Sequence, residues 1–313
     1  MTLETIAALF AAAGLGLGGW AAGRRLGRQN QVSPLLFSMV VVLALVAAWA
    51  LSGRLLWAVI LPSAEAIFWA NWMPAILCFT AGLATSTPGL HRWHRPATVG
   101  LLWILAACFW VGPFARPWIA PATVLDDDWI GWRRGVCLQS HPSTCGPASA
   151  ATLLSEHDIR SSEKDLMATC FTSRWGTEPL GLYRGLTLAS AHAGLKPQPA
   201  SPDSRQWVHR GQVPNVAIVR LGVEDSDGSL SRWFGAAQER HAITVLGRTD
   251  DGLWLIGDPA IGLVSWTDAQ MQKRFTGEAI CLVPDHSVRS RHRAVAGKRF
   301  EAMVSDLTSE QSR

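Results

Sequence analysis

The chain has 313 residues, 49% of them hydrophobic and 17% charged, with a formal net charge of +4. That charge is unevenly held: residues 1–120 carry seven arginines and two acids, whereas the remainder holds 21 basic and 22 acidic residues. A second part without basic excess excludes a nucleic-acid-binding surface, and the first 120 residues are too apolar for a wholly soluble chain.

In chain order, four stretches approach the ~20 apolar residues that cross a bilayer: Leu3–Ala22, Leu35–Leu51, Ala64–Ala84 and Thr98–Ile119, the last interrupted by Gly112-Pro113. The short run Leu55–Leu61 reads as interfacial or as an extension of a neighbouring span. Glu4 stands where a cleaved signal would carry positive charge, so the first stretch reads as a retained span. Arg24, Arg25 and Arg28 follow that span, and Arg92 and Arg95 precede the fourth. The positive-inside bias puts both clusters in the cytoplasm, with the N-terminus and everything after residue 121 outside. Residues 1–120 are thus expected to be a transmembrane domain of about four helices, and 121–135, with Asp126-Asp127-Asp128 and interfacial tryptophans, a juxtamembrane linker. Glu4 and Glu65, near span ends, give no support for an ion path.

From Val136 onward, polar and apolar residues alternate as in a soluble domain. Gln139 opens the run Q-S-H-P-S-T-C-G-P-A-S. Thr144 is the expected N-cap of a helix carrying Cys145, Gly146 and Pro147 in its first turn, and that position favours thiolate through the positive end of the helix dipole. Ser162 and Asp165 form a capping pair for a helix to about Cys170, and Leu180–Ala193 is a helix ended by Gly194. Short β-rich runs follow: Val216–Leu221, His241–Leu246, Leu253–Ile256, Leu263–Trp266 and Ala279–Val283. Thr249–Gly252 is a turn between two of them, and Thr267 with Gln270 caps a short helix to about Phe275. The fold class is therefore a multi-span α-helical membrane domain followed by an α+β domain, with a helix carrying the cysteine packed on an antiparallel sheet.

Among the remaining features, Cys78 and Cys108 fall inside apolar spans. Cys137 either pairs with Cys170 or Cys281 or all three stay free, and no cysteine or histidine spacing suggests a metal or cofactor. His141 and His157 read as surface residues. Trp175-Gly176-Thr177 and Trp233-Phe234 read first as core or rim packing, with a cleft-lining role as the sharper alternative. Glu224–Ser231 is a flexible polar loop, and 285–313 a charged tail.

Gln139, Cys145-Gly146-Pro147, His241 at the head of a strand and Asp258-Pro259 occur in the order of the parts of a papain-like thiol hydrolase. Over 136–284 they resemble the C39 and C39-like cysteine peptidases, known for cutting bacteriocin leaders after a double glycine. The resemblance implies a papain-like fold, Cys145 as nucleophile, His241 as general base and acid, Asp258 orienting the imidazole, and Gln139 donating to the oxyanion. The apolar spans add a bacterial cell-membrane location, and tethering there favours an exported or membrane-associated peptide or protein as substrate, with a separate exporter as a candidate partner and no cofactor. No Walker A sequence is present, so double-glycine specificity is not carried over. Two alternatives stay open: an inactive peptide-binding module serving a secretion partner, and a thiol amidase or acyltransferase acting on a cell-envelope acceptor.

Overall fold

The computed structural model describes residues 3–30, 33–51, 53–87, 93–122, 131–221 and 240–285. Trp233-Phe234, the 224–231 loop, Asp126–Asp128 and the tail beyond Asp285 lie outside these residues.

Four long helices occupy the first part: α1 (Leu3–Asn30), α2 (Pro34–Leu51), α5 (Met73–Ala84) and α6 (His94–Ile119). Two short ones, α3 (Leu56–Ile60) and α4 (Ala66–Trp69), precede α5. The expected third span is broken into α4 and α5 at Ala70–Trp72, where Pro74 begins a new helix; proline suits a first turn because its missing N–H has no partner there. Conversely, Gly112-Pro113 does not end α6, which continues to Ile119. Ala66–Ala84 and His94–Gly112 are long and apolar enough to cross a membrane, and Pro34–Ala44 is a shorter apolar helix.

Glycines set the contact between α1 and α5. A Cβ on Gly19 would fall 2.8 Å from the carbonyl oxygen of Ala75, one on Gly23 2.1 Å from that of Phe79, and one on Gly82 2.3 Å from that of Trp20. Four residues along α1 match four along α5 in the same direction, so the two helices run parallel, in the small-xxx-small manner of closely packed helices. The start of α1 lies toward the sheet, where Leu9 packs on the core holding Ala66 and Leu180. Its arginine-bearing end points away.

The second part is a six-stranded, wholly antiparallel sheet in the order β3-β8-β4-β5-β6-β7. Its strands are β3 (Leu195–Pro199), β4 (Asn215–Arg220), β5 (Arg240–Arg248), β6 (Trp254–Asp258), β7 (Gly262–Trp266) and β8 (Phe275–Pro284). A small hairpin, β1 (Trp132–Arg133) with β2 (Val136–Cys137), stands before it, so regular structure begins inside the stretch read as linker. The capped helices form as expected: Ser162–Asp165 and Thr267–Gln270 are reciprocal capping boxes for α8 (Glu163–Thr169) and α10 (Asp268–Arg274). Helix α9 (Pro179–Ser190) runs into a turn of 3-10 helix ended by left-handed Gly194.

The sheet has a core on each face. On one, Ala148, Ala150, Ala151 and Leu154 of α7 (Cys145–Ser155) pack with α8, α9 and the sheet. On the other, Trp207, Trp254, Trp266 and Met271 close under α10. Trp207 meets Trp254 and Phe275 edge-on at 5.8 and 4.9 Å and donates its indole N–H to the Ser201 carbonyl at 2.7 Å, so these large rings bury area without stranding a donor.

The helices and the sheet share a core. Leu55, Ala58, Ile67 and Phe68 belong to the cluster that contains Leu153 and Leu182. Phe68 meets Phe171 edge-on at 6.0 Å, and the Arg184 guanidinium lies 4.6 Å over the Phe171 ring. The Leu55 N–H donates to Glu278 Oε1 at 3.0 Å, and Arg174 N–H to the Ala120 carbonyl at 2.9 Å. The run read as interfacial or as an extension of a neighbouring span is, in part, a buried joint.

Candidate active site

Helix α7 carries the cysteine. Thr144 sits at its N-cap, as expected, but its hydroxyl does not cap the helix; it turns back to the His141 carbonyl at 2.8 Å and accepts from His141 N–H at 3.1 Å. The cap is given up to brace the loop that leads into Cys145. Cys145 itself is half-buried and lines a cleft of about 450 Å³, together with His241.

Strands β5 and β6 deliver the other two groups. His241 at the head of β5 and Asp258 at the end of β6 are 6% and 5% exposed, and His241 Nε2 lies 2.9 Å from Asp258 Oδ1. The carboxylate is aimed by its own turn, since Ala260 N–H donates to the same Oδ1 at 2.9 Å. With Nε2 engaged by Asp258, Nδ1 is left for the thiol. Two bonds fix helix against strand: Ser149 Oγ donates to the Ala242 carbonyl at 3.0 Å, and Thr244 Oγ1 returns to the Ser149 carbonyl at 2.9 Å. Both are buried, so each stabilises by about 1 kcal/mol and costs more if half-broken.

The imidazole is held in its charged form. Burial alone would push its pKa down, but hydrogen bonds to Asp258 and to the Cys145 thiol, with the charges of both, outweigh it and raise it to about 9 from 6.5. Stability must then depend on pH. At and below pH 6.5 the contribution is complete; as pH rises toward 9 the unfolded chain gives up the proton first, and the contribution drains away. Denaturation midpoints are expected to fall over pH 6.5–9 by the equivalent of a few kcal/mol, and His241→Gln to flatten that slope. The buried thiols act elsewhere on the scale: burial pushes Cys137 and Cys170 up to about 12 and Cys281 to about 11, so their effect begins only above 9.

These three thiols are free and buried; neither pairing left open for Cys137 is formed. Cys170 lies so close to α9 that a Cβ on Gly185 would meet its Sγ at 2.1 Å.

Gln139 is placed near this assembly through its backbone, whose N–H donates to the Pro259 carbonyl at 2.8 Å. Its side-chain Oε1 is buried with no hydrogen-bond partner, and Gln139 is not among the cleft-lining residues. The structure therefore brings Cys145, His241 and Asp258 together and ties Gln139 to the Asp258-Pro259 turn.

Several residues of the site escape a reading of the sequence. Glu163, at the start of α8, accepts from Ser140 N–H through both carboxylate oxygens at 3.0 and 3.3 Å, holding the loop between Gln139 and Cys145. His141 lines the cleft and contacts Ser143 Oγ through Nδ1 at 2.8 Å; its place four residues before the cysteine was the available signal. Trp175 and Thr177 also line the cleft, the sharper of the two readings for that run. Arg116, at the end of α6, forms part of the wall and pairs with Glu178, which no local pattern announces. Among the described residues no cluster of three or more His, Cys, Asp or Glu side chains is placed to hold a metal.

No family model matches the chain, and no curated protein matches it. Solved structures do. The peptidase domain of Streptococcus ComA, described as a bi-functional ABC transporter involved in a quorum-sensing pathway, is 21% identical over 47% of this chain and 96% of that one, with a TM-score of 0.37. A double-glycine-motif protease from an AMS/PCAT transporter, solved with its leader peptide, is 20% identical over 48% of this chain and 90% of that one, TM-score 0.37. The N-terminal peptidase C39-like domain of a Vibrio parahaemolyticus toxin-secretion ATP-binding protein is 10% identical over 45% and 96%, TM-score 0.32. In solved structures, what this chain is similar to is the C39-type peptidase domain of ABC transporters.

Proposed function

We propose that this protein is a membrane-anchored cysteine peptidase that cuts an exported or membrane-associated peptide through a thioester on Cys145. The observation that carries the reading is that Cys145 and His241 line one cleft while His241 Nε2 lies 2.9 Å from Asp258 Oδ1. In the proposed cycle, the sulfur adds to the scissile carbonyl carbon and the carbonyl electron pair moves to oxygen. The oxyanion is met by the Cys145 N–H at the start of α7 and, once its side chain turns into the cleft, by the Gln139 carboxamide NH2. The His241 imidazolium then donates its proton to the leaving nitrogen as the C–N bond breaks. Neutral His241 next takes a proton from water, which displaces the sulfur and releases the acid. Asp258 holds the ring in the orientation both steps need.

In the same reading, residues 1–120 anchor the enzyme as four membrane-crossing helices, residues 121–135 connect them to a peptidase domain at 136–284, and 285–313 is a charged extension. Helices α1 and α6, with 28 and 26 residues, are each about 40 Å long at ~1.5 Å per residue. Leu35, Met39, Val42 and Leu43 on α2 and Leu101, Ile104, Trp118 and Ile119 on α6 are exposed, a side-chain set suited to lipid. The parallel run of α1 and α5 favours a common far end carrying Arg24, Arg25 and Arg28, and hence a peptidase outside the cytoplasm.

The test is labelling of the protein in sealed membranes with an impermeant thiol electrophile, followed by mass analysis of peptide products. Wild type is expected to label at Cys145 from the outer side and to release products with free carboxylates, and Cys145→Ala to do neither. A Cys145 no more reactive than an ordinary thiol in permeabilised membranes would hand the site to a peptide-binding role. Transfer products in place of free acids would mean an acyltransferase.

A further inference from the structure

Resting on the peptidase reading, we propose that the cleft extends from Cys145 into a subsite for acidic side chains of the peptide, built jointly by the N-terminal helices and the sheet. The cleft around Cys145 is lined by Arg116, Arg174 and Arg240. A second groove of about 330 Å³, lined by Arg54, Arg220 and Arg240, shares Glu178, Pro179 and Arg240 with it. Arg240 and His241 both line the Cys145 cleft, so the groove that shares Arg240 opens into the space holding the imidazole.

Charge in this path is out of balance. Among the described residues, five arginines face two carboxylates, and both carboxylates are committed. Glu178 pairs with Arg116, and Glu278 pairs with Arg240 while also accepting the Leu55 N–H. Arg54, Arg174 and Arg220 form no ion pair with a described residue. Guanidinium groups gathered around one groove repel one another, and a peptide carboxylate would relieve that repulsion while taking two parallel N–H donors. The commitment to a peptide, and not to a lipid headgroup, follows from continuity with the space around Cys145. Arg54 follows α2 and Arg116 lies near the end of α6, so the helices supply part of the recognition surface as well as the anchor.

The experiment exposes the full-length protein in neutral detergent to a pool of peptides of mixed sequence, with the cut sites read by mass spectrometry. Wild type is expected to favour sites with Asp or Glu near the scissile bond, and Arg54→Gln/Arg220→Gln to lower the acidic-to-neutral ratio about tenfold, as two partly exposed ion pairs would. Iodoacetamide labelling of Cys145 checks that the variant is folded. Cutting without acidic preference, or a preference unchanged in the variant, overturns the subsite and leaves the peptidase standing. If wild type cuts nothing, the peptidase reading falls, and retention of peptides by Cys145→Ala decides the subsite alone. Acidic peptides retained, and released by the double substitution, support it; equal retention of acidic and neutral peptides overturns it. Retention abolished by phosphatidylglycerol micelles but not by acidic peptide would assign the arginines to lipid and also overturn it.

Discussion

His241→Ala is expected to slow acylation of Cys145 by a peptide electrophile about a thousandfold, within the range that a positioned acid–base group supplies. The side chain lost is buried, bonded to Asp258 at 2.9 Å, and shares the cleft with Cys145. Nothing described nearby replaces it: His141, the other histidine at the cleft, is engaged with Ser143. Wild-type turnover is expected to fall on the alkaline side near pH 9, where His241 loses its proton. Asp258→Asn removes one of the influences that raise that value, so its alkaline limb should move to lower pH, with a smaller loss of rate than His241→Ala. Rate constants over pH 5–10 for the three proteins are the measurement. An alkaline limb that stays in place in Asp258→Asn would separate the carboxylate from the imidazole, and full reactivity in His241→Ala would remove the histidine from the chemistry.

Gly23→Val is expected to part α1 from α5. The new Cβ would start 2.1 Å from the Phe79 carbonyl oxygen and 3.0 Å from its carbon, and a carbonyl locked in a helix has no rotamer to escape by. Overpacking typically costs 1–3 kcal/mol and sometimes more; against backbone the upper end applies, about 3 kcal/mol, or a drop in melting temperature of roughly 5 °C for a chain of this size. Gly18→Val is the control, because a Cβ there meets nothing within 4 Å. Melting in one detergent compares them. Equal behaviour of the two variants would mean that the helices do not meet through this face.

The grouping at the candidate site was more legible than the scaffold around it. Cys145, His241 and Asp258 could be read because each lies beside a local signal: a helix start, a strand head and a strand-ending Asp-Pro turn. Arg116 could not be read, because it reaches the cleft only when α6 docks against the segment before α9. Glu163 carries no local signal beyond its place in the first turn of α8, because its grip on Ser140 is a contact across 23 positions. In the fold, strand β3 was missed because Pro197 and Pro199 make Leu195–Pro199 look like a loop; as an edge strand it pairs only with β8, and an edge tolerates prolines. The break at Ala70–Trp72 was hidden by an apolar composition that continues across it. Gly19, Gly23 and Gly27 stand four apart, and that spacing was a usable sign of close helix contact.

The glycine face of α1 has a consequence for the order in which the chain is made. Its partner on α5 leaves the ribosome more than 50 residues later, so at ~5–20 residues per second the first helix waits roughly 3–10 seconds without its neighbour. During that interval the notch that will receive Phe79 and Gly82 is open to any other helix nearby. Correct assembly then depends on α5 reaching that notch before a stranger does, a demand on timing that no property of the finished protein records.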